Sequence, residues 1–446
     1  MELQAQPSPA LPGPRGLRLL GSLREVRGDR LGFVLKLTRQ YGDVVGFRMG
    51  WRSAVLVNHP DGVRHVLRVN PQNYRKGLGL AEARPLLGNG LLTSEGPSWA
   101  GQRQQLHQVF HAERLESFAQ AVVAATLARL ERWERGPQPG AELDIGEEMT
   151  SLALDVLDRG LLRGAAEREA ELVASFDEAQ RWAIHRMASP LALPLALPTP
   201  ASRRARRALA KLDEIVRSLI DAHRREPRRD GEGDALDALL AVAGEPAQEQ
   251  LRDEMMTLVL AGHETSAATL AWTWYLISQR PAVRERLEAE LTSVLEGRVP
   301  TFADVPRLEY ARMVVQEALR LYPAVWMIPR RAIESDEILG YRVPAGANVL
   351  ISPYALHRHP GFWDAPDEFL PERFAPGSAY PAGAYLPFGQ GPRACVGSAF
   401  GMLEAVLVVA IVGARYRLDL APGFAPVPEA LLTLKIRGLR MRLRPA

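Results

Sequence analysis

A chain of 446 residues with one cysteine cannot staple itself. No intramolecular disulfide and no four-thiolate cluster can form, so the fold rests on packing, and Cys395 is filler, a nucleophile or a metal ligand. The loop that carries it, FGQGPRACVG at 388–397, argues against filler. Gly389, Gly391 and Gly397 permit close backbone approach, and Pro392 stiffens the path. Arg393 stands two residues before the thiol and a helical pattern opens just after it, a setting expected to lower the thiol pKa toward the thiolate. A nucleophile would want a histidine base, and none of the nine histidines offers a recognisable partner pattern. One cysteine in a glycine-rich cradle fits a single axial metal ligand better.

The rest of the composition is that of a globular chain, 47% apolar and 24% charged, which excludes collagen, low complexity and wholesale disorder. Four of the 55 basic residues are lysines (Lys36, Lys76, Lys211, Lys435), the imprint of a GC-rich, bacterial genome. The basic residues face 52 acidic ones spread along the chain, which argues against a nucleic-acid partner. The N-terminal MELQAQPSPALPGPRGLRLL lacks the basic start and apolar core of a signal peptide. The longest apolar run, Ala405–Ala414, is about half a bilayer span, and Ser189–Pro200 is broken by four prolines. Either can touch a membrane surface and neither can cross one, so the chain is expected to be cytoplasmic with no membrane span.

Helical patterns are predicted over Leu31–Tyr41, much of Trp99–His223, 231–241, a long Gln248–Arg280, Val283–Leu295, Tyr310–Leu321 and Ser398–Arg415. GDVVGFRMG and SAVLVNHP read as a small hairpin or sheet, and ILGYRVPAGANVLIS carries strand signals. The expected class is mainly α with a minor β subdomain.

The spacing of Phe388, Gly391, Arg393, Cys395 and Gly397, F-x-x-G-x-R-x-C-x-G, resembles the haem-binding signature of cytochrome P450. Thiolate ligation of haem iron in that family favours O–O cleavage. Three further motifs extend the resemblance. Glu317 and Arg320 form E-x-x-R on a predicted helix, where side chains three apart share a face. PERF at 371–374 supplies Arg373 as the third member of the family's Glu–Arg–Arg network. AGHETSA at 261–267 is similar to the oxygen-binding motif: Ala261 and Gly262 thin the long helix for an approaching ligand, and Glu264 and Thr265 are the catalytic acid–alcohol pair that relays protons. His263 occupies the variable position and is not expected to bind iron.

The resemblance covers nearly the whole chain, from LPGPRG to the last residues, and implies one P450-type fold over 1–446 around a buried haem b. Residues 1–12 would be a flexible N-terminus, and no reductase would be fused. Cys395 becomes the iron ligand. Trp99 and Arg103, with Phe110 beyond, match the helix that clamps a haem carboxylate, and Arg331 and Arg393 match further propionate partners. The implied activity is a haem-thiolate monooxygenase that hydroxylates a hydrophobic substrate, such as a fatty acid, terpenoid or carotenoid. Electrons would come from a separate ferredoxin and its reductase or a flavodoxin-type donor. Two alternatives stand beside it: a peroxide-driven peroxygenase, which would not need Glu264 and Thr265, and a haem sensor without turnover, which would want an output domain. Substrate walls are expected from Leu78–Leu92, Leu191–Leu197, the long helix and Ala324–Ile328, all largely apolar.

Overall fold

Through the middle of the molecule runs one helix of 31 residues, Gln248–Ser278. It is buried on nearly every side, as befits a helix whose apolar residues are not confined to one stripe. In the computed structural model it packs against Ile145–Gly160, Glu309–Leu321 and Ser398–Gly413. The model describes residues 9–80, 83–135, 142–161, 168–188, 195–197, 199–225, 236, 239 and 248–446. The helix predicted over 231–241, most of Ser189–Pro200 and the first eight residues lie outside them.

Helix boundaries follow local chemistry. Asp29 accepts from the Gly32 N–H at 2.9 Å and starts Arg30–Tyr41. The long helix stops at Ser278, two residues before the predicted Arg280, and Pro281 opens the next helix, Pro281–Leu295, at a position that needs no N–H. The apolar run Ala405–Ala414 lies in Ser398–Gly413, a helix buried between Leu115–Arg135 and the long helix, so its hydrophobicity serves the core. Among the described residues no helix is long and apolar enough to cross a membrane.

The β component flanks this helical body. The predicted hairpin is present as Val44–Met49 paired antiparallel with Arg52–Val57. Asn348–Ile351 runs parallel to its second strand, Ile328–Ala332 lies next, and Tyr74–Lys76 closes the edge of this five-stranded sheet. The C-terminal strands were not read from the sequence: Arg440–Pro445 lies between Glu142–Asp144 and Tyr416–Leu420, and Val427–Ala430 pairs with Leu434–Arg437. The last of these hairpins reaches the long helix and proves important below.

Candidate functional site

The cysteine loop is held from both sides. Cys395 N–H donates to Phe388 O at 2.8 Å, closing the loop on itself. At Gly391, φ is +73° and a Cβ would stand 1.8 Å from Leu67 O, so only glycine fits. Gly397 has an ordinary φ of −91° and faces the Phe110 ring, with Phe110 packed edge-on against Phe400. Behind the loop, Glu317 and Arg320 are fully buried and paired at 2.7 Å, and Arg373 Nε reaches Glu317 at 3.2 Å. The network continues through a residue that sequence reading missed. His357 Nδ1 faces Arg320 O and its Nε2 accepts from the Leu386 N–H, both at 3.0 Å, tying the network to the start of the cysteine loop. Burial pushes His357 down to about 3, so the ring is neutral and this donor–acceptor pattern is fixed.

Cys395 opens into a cavity of about 600 Å³ that reaches the long helix. Its accessible surface faces that interior, and the protein encloses it on the other sides. Burial pushes the free thiol above its ordinary value, outweighing the Gly397 N–H and Arg103, the reverse of the lowering expected, so a bound metal would be what draws the proton off. The arginine that acts on the thiol is also not the one expected. Arg393 turns away to pair with Glu95, its guanidinium 4.5 Å above the Trp99 ring. Arg103 instead donates to Ala394 O at 2.6 Å.

A second correction concerns the strand Ile328–Ala332. Side chains alternate across a strand, and Ile328 and Arg330 face the cavity while Arg331 lies on the exposed face, donating to Gly346 O at 3.1 Å. The strand arginine of the site is therefore Arg330, one residue before the predicted Arg331. Lys76 joins it, with Nζ bound to Leu91 O and Ser94 O. Arg330 is pushed down to about 10 by burial and then by Arg393. Lys76 is pushed down to about 7 by burial and Arg393, with Arg330 adding to it. Burial also lowers Arg393, against the pull of Glu95. Three cations that depress one another face the carboxyls of Glu95 and Glu254, which leaves this edge richer in positive than in negative charge.

On the opposite wall, Ala261, Gly262, Glu264 and Thr265 all line the cavity, on a helix that stays continuous. Thr265 Oγ1 donates back to Ala261 O at 2.6 Å. Gly262 has a packing reason in place of the expected thinning: a Cβ there would come 2.8 Å from Leu157 Cδ1. Glu264 is buried in a polar cluster, with Lys435 Nζ at 2.6 Å, Gln180 Nε2 at 2.8 and 3.0 Å and Thr433 Oγ1 at 3.4 Å. His263 turns from the cavity onto Phe176. Beside Thr265, Ser266 Oγ donates to Glu404 Oε2 at 2.6 Å, and burial pushes this fully buried carboxyl up to about 8. Glu404, Ser266, Lys435 and Gln180 were not singled out from sequence, because each acts through a residue far along the chain.

These residues fit an iron porphyrin. A lone sulfur ligand stands on one side of an apolar cavity, a hydroxyl and a carboxylate line the other, and the edge rich in Lys76, Arg330 and Arg393 suits two acidic side arms. Comparison with known proteins agrees. The family model described as Cytochrome P450 matches residues 11–437. The chain is 37% identical to "Cyclooctatin synthase" of Streptomyces melanosporofaciens over 97% of this chain and 95% of that protein. It is 37% identical to "Cyclooctat-9-en-7-ol 5-monooxygenase" of the same organism over 92% and 90%. It is 32% identical to "Pentalenene oxygenase" of Streptomyces avermitilis over 96% of each chain.

Proposed function

The chain belongs to the cytochrome P450 family and is a monooxygenase, and from this we propose that it hydroxylates a cyclic terpenoid with electrons from a separate acidic iron–sulfur or flavin protein. The observation that carries the substrate class is the apolar wall of the cavity, with Leu87, Leu157, Leu258, Val325 and Leu432 among its residues, in a chain whose relatives are named for cyclooctatin and pentalenene. An apolar wall offers few fixed polar contacts, so it selects by shape.

The cofactor of this reading is haem b, bound by the Cys395 sulfur and without thioether links, since a chain with one cysteine has no thiols left for them. Bound there, it supplies reductive activation of dioxygen. Arg103, Arg330, Arg393 and Lys76 would hold its carboxylates, with Trp99 against the Arg393 guanidinium, while Phe388, Gly391 and Gly397 would shape the sulfur side. Ala261 and Gly262 form the opposing wall. Thr265 would turn its hydroxyl from Ala261 O toward the cavity and donate the proton on Oγ1, and Glu264, taking a proton from Lys435 Nζ, would replace it. Exposed Arg64 and Arg68 lie beside the segment that packs on Gly391 and suit an acidic donor protein.

Two measurements test this reading. The reduced carbon-monoxide difference spectrum should show the strongly red-shifted band of thiolate ligation and lose it in Cys395→Ser. With a surrogate ferredoxin and reductase, cyclic sesqui- and diterpene alcohols should shift the spin state and gain one oxygen by mass. Turnover confined to straight-chain fatty acids would remove the terpenoid reading and leave the monooxygenase intact.

A further inference from the structure

Six cations among the described residues line the cavity that reaches Cys395. Four of them, Lys76, Arg103, Arg330 and Arg393, are those that would hold the haem carboxylates. Arg30 and Arg52 are left over. Arg30 comes to the wall from the same short stretch as Leu23, Val26, Phe33 and Val34, so it is a charge set among apolar side chains.

Arg30 is held in place but not neutralised. It is the first residue of Arg30–Tyr41, the helix capped by Asp29. Its Nη1 donates to Ala430 O at the end of the strand Val427–Ala430. That hairpin is pinned in turn, since Trp326 Nε1 donates to Leu431 O at 2.9 Å. The neighbouring acids are committed elsewhere: Asp29 accepts from the Gly32 N–H, and Glu429 is paired with Arg437 on the facing strand. Among the described residues no carboxylate forms an ion pair with Arg30. Burial lowers its pKa, and Glu429 only partly opposes the shift. The first turn of a helix adds to the cost, because the helix dipole disfavours a cation there. A guanidinium carries five N–H donors, and Ala430 O occupies one. A neutral donor would tie helix to hairpin as well; a half-buried charge facing an apolar cavity calls for an anion.

The placement suits a ligand that also reaches the catalytic wall. Ala430 and Leu434 are register partners, so 431–433 is the tip of the hairpin, and all three tip residues line the cavity. Thr433 Oγ1 faces Glu264, next to Thr265. From Ala430 to Thr433 is three residues, at most ~10 Å of chain. A group held at Arg30 therefore lies across the hairpin tip from Thr265, within the span of a polycyclic skeleton. We propose that Arg30 is a specificity-determining residue that receives the carboxylate of a cyclic terpenoid acid, an inference that rests on the terpenoid reading above. The guanidinium fork donates two charge-assisted hydrogen bonds to the carboxylate, and the skeleton fills the apolar wall. Apolar walls select by shape; the one cation adds orientation, fixing which end stays at Arg30 and so which carbon faces Thr265.

The test reads binding to the holoprotein at neutral pH, by spin shift and independently by equilibrium dialysis. The probes are abietic acid, methyl abietate and abietinol, which share one tricyclic skeleton. The acid should bind about tenfold or more tighter than the ester and the alcohol. Arg30→Gln keeps a donor for Ala430 O and removes the charge, so it should bring the three ligands within about twofold of one another. Arg52→Gln should leave the preference for the acid in place. A merely structural tie between helix and hairpin would weaken all three ligands alike, so a ratio that survives in Arg30→Gln would overturn the proposal. Equal affinities in the native protein would also overturn it, while leaving the terpenoid reading intact because the neutral abietanes still bind. Palmitic acid and methyl palmitate separate the other failure. A preference for palmitic acid that Arg30→Gln abolishes, with no abietane bound, would overturn the terpenoid acid together with the terpenoid reading.

Discussion

Lys435 Nζ lies 2.6 Å from Glu264 Oε1 and 3.3 Å from Asp177 Oδ1, so one side chain from the C-terminal hairpin bridges the long helix and Glu169–Ala188. Burial alone would lower the lysine pKa, but Glu264 and Asp177 outweigh it and the net shift is upward. The charge on the Glu264 carboxylate is thus balanced by an element over 150 residues away in sequence. Removing one partner of a buried pair leaves an uncompensated charge. Lys435→Met should cost about 3 kcal/mol in denaturant unfolding, and pairing it with Glu264→Gln should return part of that. A raised lysine contributes in full below its ordinary value and loses the contribution only as pH rises through the raised one. The penalty should therefore stay flat between pH 6 and 9; a penalty that changes steeply across that window would contradict the pairing.

Arg330 and Arg331 separate the two faces of one strand, and haem retention reads which face matters. Arg330→Gln should speed haem transfer to apomyoglobin about tenfold, because a buried cation opposite a carboxylate is lost. Arg331→Gln should change it less than about twofold. Comparable rates for the two variants would return Arg331 to the site.

This pair also marks the limit of what the sequence reveals. The cysteine loop, Glu317–Arg320 and Ala261–Thr265 were legible because each is a short string, and Arg373, 56 residues from Glu317, was legible only through the family resemblance of PERF. RAIESD names an arginine strand but not its parity, and a strand's parity is set by register against Tyr74–Lys76 and Asn348–Ile351. Lys435 and Glu404 are invisible for a related reason: each acquires its role from a partner more than 100 residues away. The thiol pKa misled because helix position and a nearby arginine can be read from sequence, whereas the burial that outweighs them cannot. Lysine itself was an unused signal. In a chain that writes its basic residues overwhelmingly as arginine, two of four lysines, Lys76 and Lys435, prove to contact the site.

The loop glycines should differ sharply in tolerance. Gly391→Ala places a Cβ against the Leu67 backbone carbonyl in a left-handed conformation, and neither can yield. It should cost at least about 3 kcal/mol or prevent haem uptake. Gly397→Ala has an ordinary φ and meets the Phe110 ring at 3.4 Å, so its cost should stay near about 1 kcal/mol, that of a poorer helix start. Thermal unfolding and haem content of the purified variants measure both. Equal tolerance would mean that the loop does not pack on Leu67 as described.

Glu404 gives the pH-dependent prediction. It is fully buried with Ser266 as hydrogen-bond donor, its Oε1 has no partner, and burial pushes its carboxyl up to about 8. At neutral pH it is therefore mostly the neutral acid. A carboxyl raised in the folded state holds a proton that the unfolded chain releases, so its contribution is complete below the unfolded value near 4.5 and is lost as pH rises toward 8. Glu404→Gln keeps an acceptor for Ser266 and removes the titration. The variant should match the native protein at about pH 4.5 and gain on it with rising pH, by at most about 1.4 kcal/mol per unit, to a few kcal/mol near pH 8. Denaturant unfolding of both proteins across that range decides it. A constant difference would mean that Glu404 is ionised throughout and that a cation reaches it in solution.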